Sequence, residues 1–81
     1  MTAYQVYSGK TNKHGFQTYD LIATFLSKEK AEGLALGIVA GTPLYGDILE
    51  DTGWTNGYRG FYARGWEHVG ICKITEITIT E

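Results

Sequence analysis

The spacing of apolar residues along the chain changes, and each change marks an element. Between Ser27 and Pro43, Ala31, Leu34, Ala35, Ile38 and Val39 fall at i, i+3, i+4, i+7 and i+8. That spacing lines one face of an α-helix and predicts a helix over Ser27–Ala40. Ser27 stands where an N-cap hydroxyl accepts from a first-turn amide, and Glu29 puts an anion at the positive end of the helix dipole. Gly41 followed by Thr42-Pro43 predicts the stop, with the glycine in a left-handed cap and the proline unable to extend the ladder.

On either side of this stretch the period drops towards two. Ala3–Ser8 reads as a strand with Tyr4 and Val6 on one face and Tyr7 on the other. Gly9–Gly15 is polar and turn-prone, which predicts an open hairpin loop. Phe16–Leu26 returns as a second strand, strongest over Leu21–Phe25. Its apolar residues on both faces predict a central strand with one face under the helix. Leu44–Thr52 crosses over, with a short strand at Asp47–Thr52. Asn56-Gly57, between Trp54-Thr55 and Tyr58-Arg59, is the pair that a two-residue type I′ hairpin turn demands. Gly60 and Gly65 interrupt the next run and suggest a bulge, or a second tight turn near Arg64-Gly65. Val69–Thr80 closes as a long strand. Val69, Ile71, Ile77 and Ile79 share one alternation and Ile74 the other, so this strand is bulged or covered on both sides. The pattern predicts an α+β fold: a single helix packed on a mainly antiparallel four- to five-stranded sheet, ββα followed by two or three β.

Composition narrows the function classes. Eighty-one residues make one domain, 1–81, with a single core. The net charge of −2 supplies no basic field, which argues against nucleic acid as a partner. The longest apolar window, Leu34–Ala40, is far too short to span a membrane, and no charged-then-apolar leader opens the chain. The single cysteine, Cys72, has no internal disulfide partner, as expected of a cytoplasmic, reducing compartment.

The richest candidate surface is Trp54–Trp66, with five aromatic residues and two arginines in thirteen positions. Trp, Tyr and Arg dominate binding hot spots because each joins a large contact area to a directional polar group. Trp54, Tyr58, Arg59, Tyr62, Arg64 and Trp66 are therefore the candidate binding residues. On a strand, Tyr58 and Tyr62 share a face opposite Arg59 and Phe61. Some rings are expected in the core, with Arg59, Arg64 and one or two tyrosines outside. Two readings follow: a protein partner, or a small anionic or nucleotide-like ligand with Arg59 or Arg64 as its charge partner.

Other motifs carry less. Gly9-Lys10-Thr11 lacks the upstream glycine and the following helix of a phosphate loop, and reads as a solvated hairpin tip. His68 and Cys72 are four apart, with His14 and the acids Asp47, Glu50 and Asp51 elsewhere, but paired ligands are missing and no metal or cofactor is expected. Cys72 with His14 or His68 does not assemble a nucleophile, an orienting base and an oxyanion site, so no enzyme is expected. Gly33, Gly37 and Gly41 recur on a face away from the apolar stripe. They would permit either close approach of a second subunit, a homodimer through Gly33 and Gly37, or a turn tucked against a neighbouring loop.

The layout as a whole resembles the small accessory proteins of bacteriophages and mobile elements, among them anti-CRISPR and other anti-defence inhibitors. The likeness lies in a short acidic chain with a leading hairpin, one helix and a closing sheet rich in glycine and aromatics. It implies function by binding: blocking a larger host protein or complex, or sequestering a small signal. A charge of −2 is too mild to imitate a phosphate backbone, as the most acidic of these inhibitors do.

Overall fold

The computed structural model describes residues 1–11, 17–41, 48–64 and 68–80. Its elements run β1 (Thr2–Thr11), β2 (Gln17–Phe25), α1 (Lys28–Gly41), β3 (Ile48–Asp51), β4 (Tyr58–Arg64) and β5 (His68–Thr78). The strands form one antiparallel sheet in the order β2-β1-β5-β4-β3, and α1 lies over β5, β1 and β2. The expected α+β architecture, one helix on a mainly antiparallel sheet of four or five strands, is therefore the observed one, with the described elements in the order ββαβββ. Among the described residues no helix is long and apolar enough to cross a membrane.

The helix stripe packs as its spacing requires. Ala31, Ala35 and Val39 are buried against Val6, Phe61, Cys72 and Ile74, and Leu34 and Ile38 flank this core. The small side chains of Ala31 and Ala35 let the helix approach the sheet closely, while Val6, Phe61 and Ile74 supply the bulk from below. The Ser27 hydroxyl accepts from the Lys30 amide at 3.3 Å and caps the first turn. At the other end the expectation fails. Gly41 is the last helical residue, without a positive φ, and the left-handed glycines are Gly53 and Gly57. Gly33 and Gly37 lie on the exposed side of α1, where an added Cβ on either would meet no described atom within 4 Å.

Two bulges explain where the strand pattern misleads. Val6 pairs with Ala23 but Tyr7 pairs with Leu21, so Ile22 is an extra residue in β2. That shift, not burial, puts apolar residues on both sides: Leu21 is 50% and Ile22 45% exposed, and β2 is an edge strand rather than a central one. In β5, Phe61 pairs with Cys72 but Tyr62 with Gly70, leaving Ile71 as the extra residue. The expected bulge of the last strand is thus present, and it interrupts the alternation between His68 and Cys72 that would have aligned them on one face.

The hairpin turn before β4 is as expected. Asn56 and Gly57 both take positive φ, at 52° and 73°, and Thr55 and Tyr58 exchange both backbone hydrogen bonds at 2.9 and 3.0 Å. Gly9-Lys10-Thr11 is not a loop tip. These residues continue β1, paired with Tyr19, Thr18 and Gln17, because polar residues sit comfortably on an exposed strand end. The second turn expected near Arg64-Gly65 falls at Gly65, outside the described residues, as do Lys13, His14, Asp47 and Trp66.

Candidate functional site

The pleat divides the sheet into two faces of different chemistry. Towards the helix point Val6, Cys72, Ile74 and Phe61. Their strand neighbours point away from it, and these include Tyr7 on β1, Lys73 on β5, and Tyr58 and Tyr62 on β4. Tyr19, paired with Gly9, and Leu21, paired with Tyr7, extend this face across β2. Among the described residues no element packs on it. The four tyrosines and Lys73 are nonetheless only half exposed, since they lie down across the sheet and on one another.

Glycines make that arrangement fit. Gly60 faces the same side as Tyr58 and Tyr62, and a Cβ there would stand 2.5 Å from the Tyr58 hydroxyl and 2.8 Å from the Tyr62 ring. The two phenols close over it and their hydroxyls hydrogen-bond to each other. Tyr19 covers Gly70 in the same way, its hydroxyl occupying the place a side chain would take. Gly9 is more constrained, because the Gly70 carbonyl oxygen stands where its Cβ would go. With both glycines bare, the Gln17 side chain reaches from β2 across β1. Its amide donates to the Lys10 carbonyl at 3.0 Å and the Gly70 carbonyl at 3.3 Å, and its oxygen accepts from the Gly70 amide at 3.0 Å. One side chain thus bonds the backbone beyond the last β1–β5 pair, Ser8 with Cys72.

Among the described residues of this face, tyrosine hydroxyls surround the Lys73 cation, and one carboxylate, Glu50 on β3, stands opposite Tyr62. Burial raises the Tyr19 hydroxyl above the ordinary tyrosine range, and the neighbouring Tyr62 and Cys72 add to the effect. Burial also raises Tyr58, helped by its hydrogen bond with Tyr62. Both stay protonated at neutral pH. The Lys73 ammonium sits 4.3 Å from the Tyr19 ring centroid and 5.0 Å from that of Tyr7, a cation held between two π-faces. Tyr7 donates to the Gln5 side-chain oxygen at 2.9 Å, which fixes its ring.

The residues singled out from the sequence separate between the two faces. Tyr58 and Tyr62 stand together on the open face, opposite Arg59 and Phe61. Arg59 turns to the helix side and is engaged within the chain. Its Nε donates to Asp51 Oδ1 at 3.0 Å, Nη2 to Asp51 Oδ2 at 2.6 Å and Nη1 to Glu32 Oε2 at 2.5 Å, and the guanidinium covers Phe61 at 4.9 Å. Only 16% of its side chain is exposed. Trp54 packs on the same side, edge-on to Tyr4 at 5.9 Å, donating to Glu32 at 3.1 Å under the Lys28 ammonium. These two residues join helix to sheet instead of facing solvent. Arg64 pairs through its backbone with His68, and its side chain lies outside the described ones, as does the whole of Trp66.

Tyr7, Tyr19 and Lys73 were missed. Each sits one position from a core residue or on an edge strand, and only the strand order brings them beside Tyr58 and Tyr62. A usable signal was present: Lys73 is a charged residue between two buried ones, Cys72 and Ile74, which marks a strand with one wet face. Cys72 itself is buried, and burial pushes its thiol up to about 11, the state of inert packing rather than of a nucleophile. Comparison of the chain with protein-family models, curated proteins and solved structures finds no match.

Proposed function

We propose that the chain is a non-enzymatic protein-binding module whose contact surface is the helix-free face of the sheet. The observation that carries this reading is the cluster of Tyr7, Tyr19, Tyr58 and Tyr62 around Lys73, with exposed Leu21 beside it, on a face that no described element covers. Tyrosines already laid down over glycines lose little side-chain freedom on docking, and each offers apolar area with a hydroxyl at its edge. Such rigid amphipathic anchors concentrate binding energy at protein interfaces. Inhibition of a larger host protein, as the layout resemblance implies, needs no more than a surface of this kind. A reducing cytoplasm suits the buried thiol of Cys72.

The test compares affinities of variants for the partner captured by the wild-type chain. Tyr19→Ala and Tyr62→Ala should each cost about 2 kcal/mol, roughly thirtyfold in Kd. Glu29→Ala and Lys30→Ala, on the exposed side of α1, should change binding by less than about 1 kcal/mol. The opposite ranking, with the helix variants dominant and the tyrosine variants silent, overturns the reading.

A further inference from the structure

Lys73 stands among the tyrosines of the open face. Its cross-strand neighbours are Tyr7 on one side and Gly60 on the other. The ammonium leans over Tyr7 and Tyr19, away from a position that has no side chain to oppose it. Among the described residues no carboxylate pairs with it. The ion pairs join Lys10 to Asp20, and Arg59 to Glu32 and Asp51. Glu50, the carboxylate on this face among the described residues, stands opposite Tyr62 on β3, two strands away from Lys73.

Two aromatic faces attract an ammonium but do not cancel its charge. They do restrict a flexible four-carbon stem, so part of the ordering cost of a lysine ion pair is met before any partner arrives. A half-buried position also screens the charge less than open water would. A carboxylate approaching there finds a positioned cation, with Leu21 and the Tyr7 and Tyr19 rings beside it for apolar neighbours.

We infer that the face recognises an acidic, extended protein segment, with one carboxylate seated on Lys73 and the apolar side chains two residues to either side of it on Tyr7, Tyr19 and Leu21. This rests on the protein-binding reading above and specifies its partner. The probe is a blocked seven-residue peptide, Ser-Leu-Ser-Glu-Ser-Leu-Ser, whose leucines and glutamate share one face when extended, titrated into the isotope-labelled chain and followed by amide chemical shifts. The same peptide with glutamine in place of glutamate, and inorganic phosphate, serve as comparisons. Saturable shifts centred on Tyr7, Tyr19, Leu21 and Lys73 are expected with the glutamate peptide. Binding should be about tenfold weaker with the glutamine peptide and with Lys73→Gln, while Lys73→Arg keeps it. Equal affinity for the two peptides, unchanged affinity in a folded Lys73→Gln variant, or saturation by phosphate without response to the peptide overturns the inference. If Tyr19→Ala and Tyr62→Ala still weaken binding of the cellular partner by roughly thirtyfold, the binding face stands and only its acidic specificity falls.

Discussion

Replacing Arg59 by methionine keeps the aliphatic stem and removes the guanidinium that ties β4 to β3 and to the helix. The lost interactions are a two-point contact with Asp51, one bond to Glu32 and the cation over Phe61. Exposed ion pairs contribute about 0.2–1 kcal/mol, and breaking a fully buried one costs about 3–5. Here the arginine side chain is 16% exposed, Glu32 25% and Asp51 37%, so both acids can recover part of their hydration. The expected loss is about 2 kcal/mol, between those limits. The acid limb checks the cause. The hydrogen bonds from Arg59 hold the Asp51 carboxyl below its ordinary value, partly offset by burial. A depressed carboxylate contributes stability above its unfolded pKa of about 3.9 and loses it as pH falls through the folded value. The deficit of Arg59→Met, measured by urea unfolding, should therefore be full at pH 7 and shrink as pH drops below about 4. A loss under about 0.5 kcal/mol at pH 7, or a deficit that ignores pH, would refute the network as a tie between helix and sheet.

The remaining expectations can be checked by denaturation and thiol labelling. Gly9→Ala drives a methyl into the Gly70 carbonyl, a backbone atom, and should destabilise by more than Gly60→Ala, whose methyl meets only movable phenol rings. At the hairpin turn, Gly57→Val should cost more than Gly53→Ala, because both glycines have positive φ but only Gly57 also faces a neighbour, Glu76 Cβ at 3.3 Å. Cys72, buried and raised to about 11, should react with thiol reagents at pH 8 no faster than the chain unfolds.

What the sequence disclosed followed from how local each signal is. The helix face was legible because five apolar residues keep one period within fourteen positions, and the cap because Ser27 acts on an amide three residues away. The Asn56-Gly57 turn was legible for the same reason, its geometry residing in two residues. Strand order was not, since β1 lies between β2 and β5 only through pairings some seventy residues apart, such as Ala3 with Ile77. The extra residue Ile22 then made an edge strand look central. The site suffered from the same non-locality. Tyr58 and Tyr62 were found because they lie in one aromatic run, whereas Tyr7, Tyr19 and Lys73 join them only across four strands. Arg59 and Trp54 share that run's composition, but alternation and the acid Glu32 on the helix draw them to the other face.

The central claim, that the open sheet face is the binding surface, is tested most directly by hydroxyl-radical footprinting of the chain alone and in complex with its captured partner. Tyr7, Tyr19, Tyr58 and Tyr62 should lose most of their reactivity in the complex. Leu36, 47% exposed on the far side of α1, and Trp54, packed on Tyr4, should keep theirs. Protection of Leu36 with all four tyrosines unchanged would contradict the account and move the interface to the helix.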